Sequence, residues 1–257
     1  MHSFDSQRIL VIGGSSGLGL AIAAATADAG ASVTIASRNQ EKLATVAMKL
    51  NGAAHTAVLD TGDNEQLERF FEKQMIWDHV VVSAAQTKVG SVRGLSLTDA
   101  KAAMESKFWG AYRVARVVRI SDGGSLTLVS GFLSERPSAT AVLQGAINAA
   151  LEALARGLAL ELAPVRVNAV SPGIIETPIW DDLPSEKRRE VFETTAQQLP
   201  VRKIGRPEDI ANAVLFLMTT TYATGSTVRV DGGGAIAYSC QSANLAGQKT
   251  SPMQFFF

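Results

Sequence analysis

A single open α/β domain on a doubly wound, seven-stranded parallel sheet is predicted from three observations. Short runs rich in Val and Ile alternate with helical patterns almost from end to end. The apolar share of 46% includes only 6% aromatics, and a glycine-rich turn follows the first run directly. Parallel neighbours in one sheet need helical crossovers, and strands covered on both faces are rich in Val, Ile and Leu. At 257 residues the chain suits one large α/β domain or two small ones. No internal repeat or linker-like shift of composition divides it, so one domain is expected over residues 1–257.

The first strand is Arg8–Ile12, an apolar run closed by Gly13-Gly14. A helical stretch over Gly17–Ala29 leads to the second strand, Ser32–Ser37, and one over Glu41–Leu50 leads to the third, Ala53–Leu59. Helical Asn64–Lys73 precedes strand His79–Ser83, and the long pattern Thr98–Val118 precedes strand Ser125–Val129. Val142–Leu162 is the second long helical stretch, before strand Arg166–Ser171. Pro207 opens the last helix, Pro207–Met218, as proline suits a first helical turn, and Thr227–Val230 is the seventh strand. Six crossovers between seven strands make the sheet doubly wound. Two segments lie outside the alternation: 174–199, read as a pocket wall and lid with a charged helical part at Pro184–Leu199, and a tail at 235–257.

Composition narrows the function. Lys+Arg and Asp+Glu each number 24, and no basic stripe appears, which argues against nucleic acid or an anionic membrane as partner. The single Cys240 has no partner for a disulfide within the chain, which suits a reducing compartment. A strand starting by Arg8 leaves no room for a signal peptide, and no apolar run approaches a membrane span, so a cytoplasmic location is expected. His2, His55 and His79 have no metal-ligand spacing, and no metal is assigned.

The strongest chemical signal is Val11-Ile12-Gly13-Gly14-Ser15-Ser16-Gly17-Leu18-Gly19, running from a strand straight into a helix. Gly13 permits the tight turn, Gly17 lets backbone approach a pyrophosphate, and Gly19 allows close packing of helix on strand. The helix start offers N–H donors to the anion, with Ser15, Ser16 and Leu18 lining it. This is the Rossmann-type dinucleotide arrangement. The second strand ends Ser37-Arg38, a hydroxyl and a guanidinium where a carboxylate would repel a 2′-phosphate, so NADP(H) is favoured over NAD(H). Arg38 also suits a solvated helix start. Asp60, before Thr61, either accepts from an adenine amino group or caps the helix beginning near Asn64.

Together with later motifs, these residues resemble the short-chain dehydrogenase/reductase family over roughly residues 8–234. Leu158–Glu161 with Pro164, Arg166 through Gly173, Thr177-Pro178, Arg206 through Ala211, and Val230-Asp231-Gly232-Gly233 all match it. The resemblance implies cofactor contacts at Ser83, Ala84, Ala85, Pro172, Gly173, Ile175 and Thr177, the last meeting the nicotinamide carboxamide. It also implies a homodimer or homotetramer paired through the two long helices. The departures fall together. Ile12 stands for the usual Thr, and Ser83-Ala84-Ala85-Gln86 for Asn-Asn-Ala-Gly. Lys107 aligns with the Asn of the long fourth helix. The catalytic hydroxyl is either Ser130 or replaced by Gly131. Thr140 takes the Tyr position and Gln144 the Lys position of Tyr-x-x-x-Lys, on a loop shorter than usual.

In the family the Tyr protonates the carbonyl oxygen as hydride arrives, and the Lys lowers its pKa and binds the nicotinamide ribose. Thr140 is shorter and its hydroxyl far less acidic. Loss of general acid help costs about 10²–10⁴ in rate, or roughly 3–5 kcal/mol of barrier. Gln144 can still hydrogen-bond ribose hydroxyls. An iminium substrate would need no proton, because hydride alone completes its reduction. Alternatively Lys107, on the face Ala103–Lys107–Gly110–Val114, points its ammonium into the volume Gln144 leaves; its plain reading is a solvated lysine. Arg136 borders the substrate loop and suits a carboxylate or carbonyl, or pairs with Glu135. Trp180 and Phe192 line an aromatic pocket or belong to the core, and Phe255-Phe256-Phe257 dock on a partner or end a variable tail. Relatives lacking the tetrad serve secondary metabolism, including fungal alkaloid pathways where one protein reduces an imine-type centre and guides a cycloaddition. The rival class is a non-catalytic, cofactor-binding subunit.

Overall fold

The computed structural model describes residues 3–50, 54–73 and 76–237. Seven parallel strands form one sheet in the order β3-β2-β1-β4-β5-β6-β7. They are β1 (Arg8–Ile12), β2 (Ser32–Ser37), β3 (Ala54–Val58), β4 (Trp77–Val82), β5 (Ile120–Val129), β6 (Arg166–Pro172) and β7 (Thr227–Val230). The chain winds outward from β1 to β3, returns to β4 beside β1, and then winds the other way. The crevice above the carboxyl ends of β1 and β4 is therefore the switch point where such sheets hold ligands.

Alternation along β1 shows how the layers form. Ile9 and Val11 join the core under α1 (Gly17–Asp28), α2 (Gln40–Lys49) and α8 (Pro207–Thr219). Leu10 and Ile12 join the opposite core under α3 (Asn64–Lys73), α5 (Gly110–Val117) and α6 (Val142–Glu161). Each fully buried Val, Leu or Ile contributes about 1.5–3 kcal/mol, so this pattern sets the strand register. All of β6 is buried, as a central parallel strand requires. Arg166, at its start, donates to the carbonyls of Leu217 (2.6 Å) and Met218 (2.6 Å), pinning the negative end of α8.

Three elements differ from the sequence-based expectation. Strand β4 begins at Trp77 rather than His79, because Trp77 pairs with Ile120 before the register shifts. That pairing also extends β5 back from Ser125. Ala53 lies outside the described residues. The stretch Thr98–Val118 is not one α-helix: α4 (Leu97–Met104) passes through a π turn at Glu105–Trp109 before α5. Beyond β6 come a short 3-10 turn, Pro178–Trp180, and α7 (Ser185–Gln198).

Candidate active site

The loop between β1 and α1 is shaped for close backbone approach. Gly13 has φ 90°, and a Cβ there would stand 2.5 Å from Ala84 N and 2.8 Å from Ser83 C. Only glycine allows the ends of β1 and β4 to meet so closely. A Cβ on Gly19 would stand 2.2 Å from Gly13 O, so helix packs on strand as expected. Gly17 has φ 52°, and a Cβ there would stand 3.7 Å from Thr177 Cβ. Ser16 caps α1 without using its side chain, and the first turn carries no acidic residue. Its N–H groups and positive end thus suit an anion. Ser15 stands beside them, and Leu18 packs on the core. Across the crevice, Pro172 pairs with Val230, Gly173 N donates to Val230 O, and Ile175 is buried.

At the other end of the crevice, Arg38 donates to Gln86 Oε1 (2.6 Å), holding the guanidinium across from the segment after β4 that carries exposed Ala85. Ser37 Oγ lies 3.5 Å from Asn39 O. Asp60 accepts from Gly62 N (2.9 Å), while α3 is capped by Asp63, which accepts from Gln66 N (2.9 Å). Capping by Asp60 is thereby corrected. Thr61 packs its hydroxyl against Gly110, where a Cβ would meet Oγ1 at 2.8 Å.

Where proton chemistry is expected, a buried polar cluster occurs. Lys107 projects inward from the π turn, and its Nζ donates to Ser130 O (2.8 Å) and Asn148 Oδ1 (2.7 Å). Burial pushes the ammonium down to about 8, against the upward pull of the Glu152 carboxylate. Ala103, Gly110 and Val114 are buried with it, so a solvated lysine is corrected. Glu152 Oε1 accepts from Ser130 Oγ (2.9 Å) and Ser134 Oγ (2.7 Å). Ser130 Oγ also reaches Val170 O (3.2 Å), so its hydroxyl is held in the interior. The residue facing Asn148 is Gly131: a Cβ there would stand 2.7 Å from Asn148 Nδ2.

The pair Thr140 and Gln144 sits differently from the sequence reading. Thr140 precedes α6, whose N-cap is Ala141, and its Oγ1 bonds Ser138 Oγ (3.1 Å). Gln144 is on the helix, with Oε1 buried and unpartnered. Lys107 reaches Asn148, one turn beyond Gln144, rather than the volume beside Gln144. Arg136 donates to Gly234 O, and Glu135 pairs with Arg229, which replaces the Arg136–Glu135 pairing. Trp180 is buried, donates through Nε1 to Ile175 O (2.9 Å) and meets Phe192 edge to face at 5.4 Å. It anchors the segment after β6 from within.

Sequence reasoning missed Asn148, Glu152 and the contact at Gly131. A signal was present: Gln144, Asn148 and Glu152 fall at i, i+4 and i+8, a polar stripe that continues to Arg156 on a helix otherwise rich in Ala and Leu. Moving the Tyr-x-x-x-Lys register on by that one turn also lengthens by four residues the loop that otherwise reads as short.

A family model described as enoyl-(acyl carrier protein) reductase matches residues 13–235. The short-chain dehydrogenase/reductase ATR9 of Stachybotrys chlorohalonatus is 34% identical over 253 residues, covering 91% of this chain and 98% of its own. A small-chain dehydrogenase solved in complex with NADPH is 35% identical with TM-score 0.78, covering 91% of this chain and all of the other. The MalC reductase/Diels-Alderase of Malbranchea aurantiaca is 25% identical with TM-score 0.84, covering 91% and 98%.

Proposed function

This chain belongs to the short-chain dehydrogenase/reductase family, and from that premise we propose that it is an NADP(H)-dependent reductase of a specialised small molecule whose electrophilic centre needs no proton from the enzyme. The turn fits a dinucleotide, because Gly13 and Gly19 let β4 and α1 close tightly on it and the first turn of α1, uncapped by a side chain and free of acidic residues, offers its N–H groups to an anion. Gly13, Ser15, Ser16, Gly17, Leu18 and Gly19 would hold the pyrophosphate. Ser37 and Arg38 would take the 2′-phosphate, Asp60 and Thr61 would border the adenine, and Ser83, Ala84, Ala85, Pro172, Gly173, Ile175 and Thr177 would line the rest. The NADPH held by a relative with 35% identity supports this. When bound, the cofactor supplies a hydride.

One observation carries the substrate class: among the described residues, no phenol stands near Gly131, Gln144 or Asn148. Tyr112 stacks on Phe108 at 6.4 Å, on the outer side of the π turn and α5, and Tyr222 is fully exposed. Tyr238 lies outside the described residues. Lys107 spends its ammonium on Asn148 and Ser130, and Thr140 is bonded to Ser138. What these groups provide is orientation and exclusion of water. An iminium carbon that takes hydride becomes a neutral amine, with no bond to oxygen left to protonate.

NADPH consumption on a cyclic iminium and a simple ketone tests the reading. Turnover of the iminium at least tenfold faster is expected, unchanged in Tyr238→Phe. Equal or faster ketone reduction sinks it, and no hydride transfer to either supports a cofactor-binding subunit instead. Likeness to the MalC reductase/Diels-Alderase favours a second reading, in which the same pocket also guides a cyclisation.

A further inference from the structure

We infer that Lys107 is a positioning residue that acts through Asn148, fixing its amide so that Nδ2 is a standing hydrogen-bond donor beside Gly131 for a hydroxyl oxygen of the cofactor's nicotinamide ribose. The inference rests on the cofactor reading above. An ammonium only donates, so the oxygen of the Asn148 amide must be the atom that meets Nζ at 2.7 Å. Nδ2 is then forced to the opposite side. There it lies 2.7 Å from the position a Gly131 Cβ would take, so the amide fills the room left by the absent side chain. Gly131 follows directly on Ser130 at the carboxyl end of β5, next to the switch-point crevice.

One turn earlier on α6, Gln144 keeps Oε1 buried without a partner. An idle acceptor at i and a fixed donor at i+4 are complementary to a vicinal diol, in which each hydroxyl both donates and accepts. A buried acceptor left without a bond is costly, so a ligand that satisfies Gln144 gains by it. Glu152 completes the support. Its carboxylate offsets the buried ammonium and holds Ser130, whose carbonyl is the second acceptor for Nζ. The lysine itself points no proton at the ligand. Its charge is used at one remove.

The test is NADPH affinity by calorimetry at a temperature where circular dichroism shows every variant folded. Asn148→Asp keeps an acceptor for the ammonium and deletes the donor. It is expected to fold as stably as the parent and to bind NADPH tenfold or more weakly. Lys107→Met is expected to weaken binding similarly in the parent and by less than twofold in an Asn148→Ala background. Parent-like affinity in Asn148→Asp, or an undiminished Lys107→Met effect without Asn148, overturns the assignment. If the unaltered protein takes up no NADPH, the cofactor reading fails first. The pairing is then judged separately by thermal unfolding, where Lys107→Met and Asn148→Ala must be non-additive.

Discussion

A methyl group added at Gly131 would come within 2.7 Å of Asn148 Nδ2 and 3.3 Å of its Cγ. The backbone at 131 is extended, with φ 162°, so crowding alone would be felt. Gly131→Ala is expected to cost about 1–3 kcal/mol in urea unfolding, as overpacking of a filled interior does. A neutral or stabilising result would mean the amide has room to move. Glycines were the most legible residues of the site, since Gly13, Gly17 and Gly19 each answer a backbone demand that no other residue meets. Asn148 was not legible in the same way. It is one member of a polar stripe on an Ala- and Leu-rich helix, and its meaning depends on Lys107, 41 residues away. The register placed on Thr140 failed because α6 starts only at Val142, so a residue two positions earlier shares no helical face with Gln144.

Strand β4 carries the element-scale counterpart. His79 is buried between Ser125 Oγ (2.8 Å from Nδ1) and Gln7 Oε1 (3.1 Å from Nε2), with Phe4 edge-on at 5.9 Å. Burial lowers its pKa to about 4, Arg166 pushes the same way, and Asp78 opposes them. The unfolded chain binds this proton below about pH 6.5, whereas the folded one refuses it down to about 4. Stability is therefore lost as pH falls through that window, on the order of 2–3 kcal/mol by pH 4.5. Urea midpoints at pH 7.5 and 4.5 should show a smaller drop in His79→Gln than in the parent; an equal drop would place the acid sensitivity elsewhere. The strands themselves were legible from Val- and Ile-rich runs. The π turn was not, because Ala103, Lys107, Gly110 and Val114 keep a helical spacing across it. The wider i→i+5 turn leaves those four residues buried together, so their spacing gives no sign of it.

For the whole molecule, the doubly wound parallel sheet followed from the alternation of runs and their crossovers, and the seven expected strands are all present, in an order that the alternation does not itself specify. Among the described residues no helix is long and apolar enough to cross a membrane, and no cluster of His, Cys, Asp or Glu is suited to a metal. Cys240 and the terminal Phe255-Phe256-Phe257 lie outside the described residues. The two long helical stretches expose Trp109 (43%), Tyr112 (40%) and Leu160 (84%). Such a face asks for a cover. We propose a homodimer or homotetramer closed through these helices. Light scattering should give a multiple of the chain mass that falls to the monomer in Trp109→Glu/Tyr112→Glu; a monomeric parent would dismiss this.

The three tryptophans sit in three different surroundings: Trp77 sealed in the interior, Trp109 half in water, and Trp180 buried edge-on against Phe192 of α7. The molecule thus carries its own optical gauge. Emission from the third indole is tied to how Pro178–Trp180 packs on α7, and its colour and intensity offer a label-free record of that packing.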